Sequence, residues 1–331
     1  MYDTLSSNLS QGKSKYSHEK NLEIQFFNIL SSGNKFQLST FLKNNRDCKF
    51  WYFTCEDAEN NNGLHVCVQN DLLGQIKLMF EIIEERENKT ENESINQPLL
   101  DDEGLTAKQI ISNWINSPNS KGDTCLHYVA YKGNYKMISL FSNYNIFPQL
   151  KNKQGNTVMH KAAQGNQPLP FIFYNQKYNV SAIEGNKDGS TPLHWACFIG
   201  SEVSFNFIIN YYDDINIQDN DGFTPLHLAV VSEKTEIVKK LLQKGANKEI
   251  RDLKGRTPKL LAEEKGKDII ADMLKEKMIC SLFVWKNPLK KIERNYLNVY
   301  FFVGMHAICE FAYFSVVLPC KFYLILINYI F

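Results

Sequence analysis

The chain has 331 residues, 44% of them apolar, 22% charged, and a formal net charge of +1. That length leaves room for one elongated array and something beside it, since single cores stop growing near about 250–300 residues. The near-neutral balance removes the electrostatic case for a nucleic-acid partner, and eight scattered cysteines without a Cys-x-x-Cys pair argue against zinc ribbons and thioredoxin-like redox sites.

Residues 1–20 are polar and lack an apolar h-region, so they are not read as a signal peptide. They are expected to be disordered. Residues 21–118 read as degenerate repeat units. Within them, Leu22 to Leu42 fits a helix pair with Gly33 in the turn. The run Asn61-Asn-Gly-Leu-His65 keeps only the leucine and histidine of a phrase that recurs downstream. The Asn/Glu/Lys-rich stretch 84–97 is expected to be a disordered insertion. Asp101 to Ala107 starts like a unit, but Gly122 follows only 18 residues after Gly104. A complete second helix does not fit there, so the stack is expected to be broken at this point.

Residues 119–280 carry the clear signal. His127, His160, His194 and His227 are spaced by 33, 34 and 33 residues, each inside a variant of Gly-x-Thr-x-x-His. A fixed period of this length means stacked units, none of which can bury its apolar face alone. Thr191 and Thr224 are placed as helix N-caps, with Pro192 and Pro225 at the first helical position. Gly189 and Gly222 follow Asp188 and Asp221 in a turn suited to positive φ. Ile237, Val238, Leu241 and Leu242 recur at helical spacing, and Gly245 sits where a C-cap glycine belongs. One unit is therefore a turn, a short helix and a longer antiparallel helix.

These residues resemble the ankyrin repeat, through the Gly-x-Thr-Pro-Leu-His run and Lys244-Gly-Ala-Asn247. The resemblance implies an all-α ankyrin-repeat solenoid of helix-turn-helix units with β-turn tips. The histidines then belong to the repeat's own hydrogen-bonding pattern, and a metal site is rejected. Gly255 to Ala262 continues the period with Leu260 in the histidine slot, which fits a capping unit. Cys125 and Cys197 fall inside helices as small buried hydrophobes, compatible with a reducing cytosol.

After Lys277 the character changes. Residues 281–296 form a basic juxtamembrane linker with Lys286, Lys290, Lys291 and Arg294. Leu297 to Pro319 is long enough to cross a hydrocarbon core, and Phe322 to Phe331 is half a second span. Segment 297–331 is read as one transmembrane helix plus an incomplete second, with a buried helix pair packed on the array as the alternative. The basic flank places the array on the cytoplasmic side of the membrane. Glu310 is costly alone in lipid, so it faces another helix, becomes protonated or snorkels.

Cytoplasmic repeats, a basic linker and paired apolar segments together resemble the front part of the ankyrin-repeat DHHC palmitoyltransferases. Thr191-Pro-Leu-His-Trp-Ala-Cys197, the linker from Cys280, and Arg294-Asn-Tyr296 carry that likeness. The family's catalytic segment contains Asp-His-His-Cys, which this sequence lacks. The resemblance therefore transfers no catalytic residue and no cofactor, and it implies inactivity of this chain alone. What it implies is recruitment of protein substrates. A stand-alone adaptor and the N-terminal part of an ankyrin-bearing channel are the competing readings.

Ankyrin arrays bind through turn tips and the inner helix face, which stacking does not use. On this chain the candidate protein-binding residues are Lys121, Lys153, Gln154, Lys187, Asp188, Asn220 and Asp221 at the tips, with Phe223 after its glycine. Tyr131, Lys132, Phe198 and Ile199 are added from the exposed end of the first helix. Tyr128 and Trp195, directly after their histidines, are read as stacking residues.

Overall fold

The computed structural model describes residues 20–45, 52, 55–92 and 105–275, all within the first of two units, Met1–Lys277. The expectations for 1–19, for the linker 281–296 and for the apolar segments of 297–331 fall outside the described residues. Among those described, no helix is long and apolar enough to cross a membrane. They are helical, with a single isolated bridge between Glu56 and Asn62 in place of any strand.

The helix pair expected over 22–42 is present as α1 (20–32) and α2 (Lys35–Asn44), with Gly33 at φ 69° between them. The repeats follow as pairs of an inner and an outer helix. These are α3 (Gly63–Gln69) with α4 (Leu73–Asn92), α6 (Cys125–Lys132) with α7 (Tyr135–Phe141), and α8 (Val158–Gln164) with α9 (Leu169–Tyr178). Then come α10 (Pro192–Ile199) with α11 (Glu202–Ile208), α12 (Pro225–Val231) with α13 (Thr235–Gln243), and α14 (Pro258–Glu264) with α15 (Asp268–Lys275). Each inner helix packs on the next, from α3 through α6, α8, α10 and α12 to α14. One apolar core runs through the stack, from Phe26 and Leu30 past Leu126, Met159, Leu193 and Leu226 to Leu274.

Two expectations are corrected here. The stack is not broken before Gly122, since α3 and α6 are in direct contact. The chain inserts one extra helix, α5 (Ala107–Asn116), which packs on α4 and α6 while α3 stays directly against α6. Its Ser112 Oγ donates to the Asn145 carbonyl at 2.5 Å, and its Asn116 Oδ1 accepts from Phe147 N at 2.8 Å. Ile111, Trp114 and Ile115 add to the core. Residues 84–92 are also not disordered but form the last turns of α4, while 93–97 lie outside the described residues. Ile76, Met79, Phe80 and Ile83 are buried at helical spacing and hold this helix on the core. The Tyr144 hydroxyl fixes it further by donating to Glu84 Oε1 at 2.9 Å.

The turn tips explain the glycines. Gly222 has φ 79°, and a Cβ there would stand 2.7 Å from Leu253 N of the next tip. Gly255 has nearly the same φ, 77°, but meets nothing within 4 Å because no described unit follows it. Gly222→Ala is therefore expected to combine left-handed strain with a backbone clash, costing about 2–4 kcal/mol. Gly255→Ala should show the strain alone, about 1 kcal/mol. Urea unfolding of the two variants separates these effects. Equal losses would mean that the tips do not touch as described.

Candidate protein-binding site

The geometry is set by three parallel ladders. The first consists of the histidines. In each unit the N-cap backbone N–H donates to the histidine Nδ1, from Asn62, Thr124, Thr157, Thr191 and Thr224, at 3.1–3.2 Å. This is a capping box with histidine in the place of the usual Glu or Gln. Nε2 then donates to a carbonyl of the following unit. The acceptors are Asp123 for His65, Asn156 for His127, Ser190 for His160, Phe223 for His194 and Arg256 for His227, at 2.9–3.1 Å. At the four threonine-capped histidines, where the Thr hydroxyl and the N-cap N–H both reach Nδ1, the network assigns neutral rings with the proton on Nε2, whereas His65 Nδ1 also lies 2.8 Å from the Asn62 Oδ1 acceptor. Burial pushes all five pKa values down, to about 4 for His65 and His160. With both nitrogens engaged, these rings have no lone pair to offer a metal. Leu260 ends the ladder with its side chain 40% exposed.

The second ladder joins the tips. Ser120 N donates to Glu59 O, Lys153 N to Lys121 O, Lys187 N to Gln154 O, Asn220 N to Asp188 O, and Leu253 N to Asp221 O, all at 2.9–3.0 Å. The third lies beneath it. Asp57, Asn119, Asn152, Asn186, Asp219 and Asp252 each accept with Oδ1 from the backbone N–H groups two and four residues on. Asn119, Asn152 and Asn186 also donate to Asn61, Asp123 and Asn156 of the preceding unit. Tip spacing is thereby fixed by hydrogen bonds rather than by loop flexibility.

The tips and the inner helices share a corner. The Tyr128 hydroxyl accepts from Asn119 Nδ2 at 3.0 Å, tying the α6 face to its own tip. Lys161 reaches Asp123 of the preceding unit at 3.4 Å. Tyr128, Lys161 and Trp195 occupy one slot, directly after the histidines of α6, α8 and α10, and all are half-buried. The Trp195 ring packs edge-on against Phe198 at 6.2 Å, and its indole N–H is buried without a hydrogen-bond partner. Lys161 was not among the expected residues, although its position after His160 marks the slot.

The expected residues divide by what they touch. Lys121, Tyr131, Lys132, Lys153, Gln154, Lys187, Asp188, Phe198, Ile199, Asn220 and Asp221 are exposed. The tip ladder aligns the seven tip positions. Tyr131 and Phe198 hold equivalent places on α6 and α10, four residues after their histidines. Lys121 is paired with Glu59 and Lys132 with Asp71, each at 3.1 Å. Asn220 spends its side-chain amide on the Lys187 carbonyl at 2.9 Å. Phe223 is half-buried, edge-on to the His227 ring and covered by the Arg256 guanidinium at 5.9 Å, so it is packing more than open surface. Cys67, Cys125 and Cys197 are buried thiols whose pKa burial pushes up, to about 12 for Cys67, so none is a thiolate nucleophile.

The family model for ankyrin repeats (three copies) matches residues 64–179 and 171–252, more than half of the chain. The chain belongs to the ankyrin-repeat family. Its relatives among these proteins are mixed in kind. A Danio rerio protein named for palmitoyltransferase ZDHHC13 is 32% identical over 145 residues, 43% of this chain and 22% of that protein. Palmitoyltransferase AKR1 of Lachancea kluyveri is 24% identical over 38% of this chain and 17% of its own length. The human transient receptor potential cation channel subfamily A member 1 is 26% identical over 49% of this chain and 15% of its own length. The ankyrin chain thus spans about a fifth or less of these relatives. Its likeness to palmitoyltransferases agrees with the resemblance drawn from the repeat residues.

Proposed function

We propose that this ankyrin array recruits protein partners on its inner face, tethered to a membrane by 297–331, as the recognition part of a protein S-acyltransferase. One observation carries the binding reading. Tyr131, Phe198 and Ile199 are 48%, 41% and 43% exposed on inner helices whose other apolar side chains are almost all buried or half-buried. Exposed aromatic groups on rigid helices are the composition of interface hot spots. The palmitoyltransferase relatives supply the enzyme context and the tether. Acyl transfer would need a cysteine-rich segment that this sequence does not contain, so the chain's own part is recognition.

Tyr131→Ser with Phe198→Ser is expected to weaken partner capture by roughly tenfold or more, since hot-spot truncations cost more than about 1 kcal/mol. Stability should stay within about 0.5 kcal/mol, as for ordinary surface changes. Proximity labelling in cells with the wild-type and double-variant chains checks this. A labelled set unchanged in the variant would count against the inner face. Sequencing the transcript through the Phe331 codon tests the enzyme context. An open frame reaching Asp-His-His-Cys supports it, whereas an open frame with many spans and a pore segment favours the channel reading suggested by the human channel relative.

A further inference from the structure

The first helix pair is packed on one side only. On α1, Leu22, Phe26 and Leu30 are buried, and Phe26 packs against Gly63 of α3. On α2, Leu38 and Leu42 are buried in the same core. Between them the two helices leave a cleft of about 490 Å³, walled by Gln25, Asn28 and Ile29 of α1 and by Phe36 and Asn44 of α2, with the buried Phe41 in its lining. No charged side chain lines it among the described residues. Phe36 is 80% exposed, more than any other large apolar side chain described. An end unit of a solenoid has to turn a polar face outward, and this one presents a phenylalanine beside a charge-free cleft. Depleted charge and an exposed aromatic ring are the composition of the covered centre of an interface.

We infer that residues 4–12 of the chain's own N-terminal segment occupy this cleft as a short helix, with Leu5 and Leu9 against Phe36, Ile29 and Phe41. The cap lies on the first helix pair and does not depend on the recruiting function. Three features select this segment. Thr4 to Gly12 is free of charge, bracketed by Asp3 and Lys13, and so matches a cleft that carries none. Leu5 and Leu9 stand four apart and share one face of a helix, while Ser6, Asn8 and Gln11 can meet the amides of Gln25, Asn28 and Asn44. Thr4 is a helix-starting residue and Gly12 a helix-ending one. They bound a helix of about 10 Å, against about 12 Å along α2 from Phe36 to Asn44. The connector reaches as well. Residues 13–19 extend to about 23 Å, and Ile29 lies only about 14 Å along α1 from Lys20. The other nearby segment, 46–51, carries Arg46, Asp47 and Lys49 and has to join Asn45 to Tyr52, whose ring is buried beside Phe26 and Trp114. A helix this short is marginal alone in water, which is why composition reads 1–20 as disordered. The cleft supplies the apolar surface that holds it, and the tether replaces a bimolecular encounter with a local one.

The test is photo-crosslinking in cells that express the full chain with Phe36→p-benzoylphenylalanine, and with Ile269→p-benzoylphenylalanine as the control at an exposed site on α15. The expected result is an intramolecular crosslink from position 36 into residues 4–12, and none from position 269 to that segment. Adding Leu5→Asp/Leu9→Asp should lower its yield at least about tenfold, because an aspartate is costly to bury where a leucine was favoured. That variant changes no residue of the array itself, so its loss of crosslink is not a loss of fold. An undiminished yield in the aspartate variant would show chance proximity of a tethered segment and overturn the cap. Crosslinks from position 36 to a second copy or to another protein would give the cleft to that partner and overturn it. So would a position 36 that crosslinks to nothing.

Discussion

Lowering the pH from 7.5 to 4.5 is expected to unfold the array in one cooperative step centred near pH 5. The unfolded histidines bind protons around pH 6.5, whereas His65 and His160 in the fold do not until about pH 4, and His127, His194 and His227 are displaced the same way. Between those limits the unfolded chain carries more protons, so stability rises with pH and is lost as pH falls through 6.5. Each of the first two rings accounts for about 3 kcal/mol over that window. Together they are comparable with the whole stability of an ordinary domain, about 5–15 kcal/mol. Protonation at Nδ1 also replaces the acceptor by a second donor facing the N-cap N–H, so the hydrogen bond that caps the helix is lost. Circular dichroism melts at half-unit pH steps check this. A melting temperature flat from pH 7.5 to 5 would contradict the neutral, buried rings.

The second large effect is expected from Leu226→Ala, a loss of about 2–5 kcal/mol. Leu226 is 1% exposed at the second position of α12, between the α10 and α14 faces. Because each unit contacts only its neighbours, a cavity here weakens two interfaces and cannot be redistributed along the stack. The equivalent place one repeat later is Lys259, half-buried in α14 and near Glu263. Lys259→Ala should stay within about 0.5 kcal/mol. Urea unfolding of both variants tests the register directly. Equal losses would mean that the 33-residue frame has been drawn one position out.

The sequence showed the repeats wherever the whole phrase is kept, from His127 to His227, because threonine, proline, leucine and glycine each answer a local backbone need. It concealed the α3–α6 junction. His65 lies 62 residues before His127, Asn62 replaces the capping threonine, and the intervening α5 obeys no repeat spacing. The frame is preserved by the hydrogen bonds from His65 to the Asp123 carbonyl, from Ser120 N to the Glu59 carbonyl and from Asn119 to Asn61, and these are visible in space rather than in spacing. The end of α4 was misread for a related reason. Its composition is that of a solvated chain, but Ile76, Met79, Phe80 and Ile83 commit one face to the core, and the polar residues simply continue the same helix. At the site, tip positions were legible from the turn glycines. The partners that use up Lys121, Lys132, Asn220 and Phe223 come from Glu59, Asp71, Lys187 and Arg256. The first two belong to the unit whose frame was hidden.

A continuous stack is what makes the inner face one groove, and His65 is where continuity is decided. Long-range proton–nitrogen NMR of the histidine side chains, recorded through a titration from pH 7.5 to 5.5, tests it most directly. The account predicts that His65 behaves like His127, His160, His194 and His227, with a slowly exchanging Nε2 proton and no titration near 6.5. A His65 ring that titrates near 6.5 and exchanges its proton at solvent rates would show that the stack ends at α6, and the groove with it.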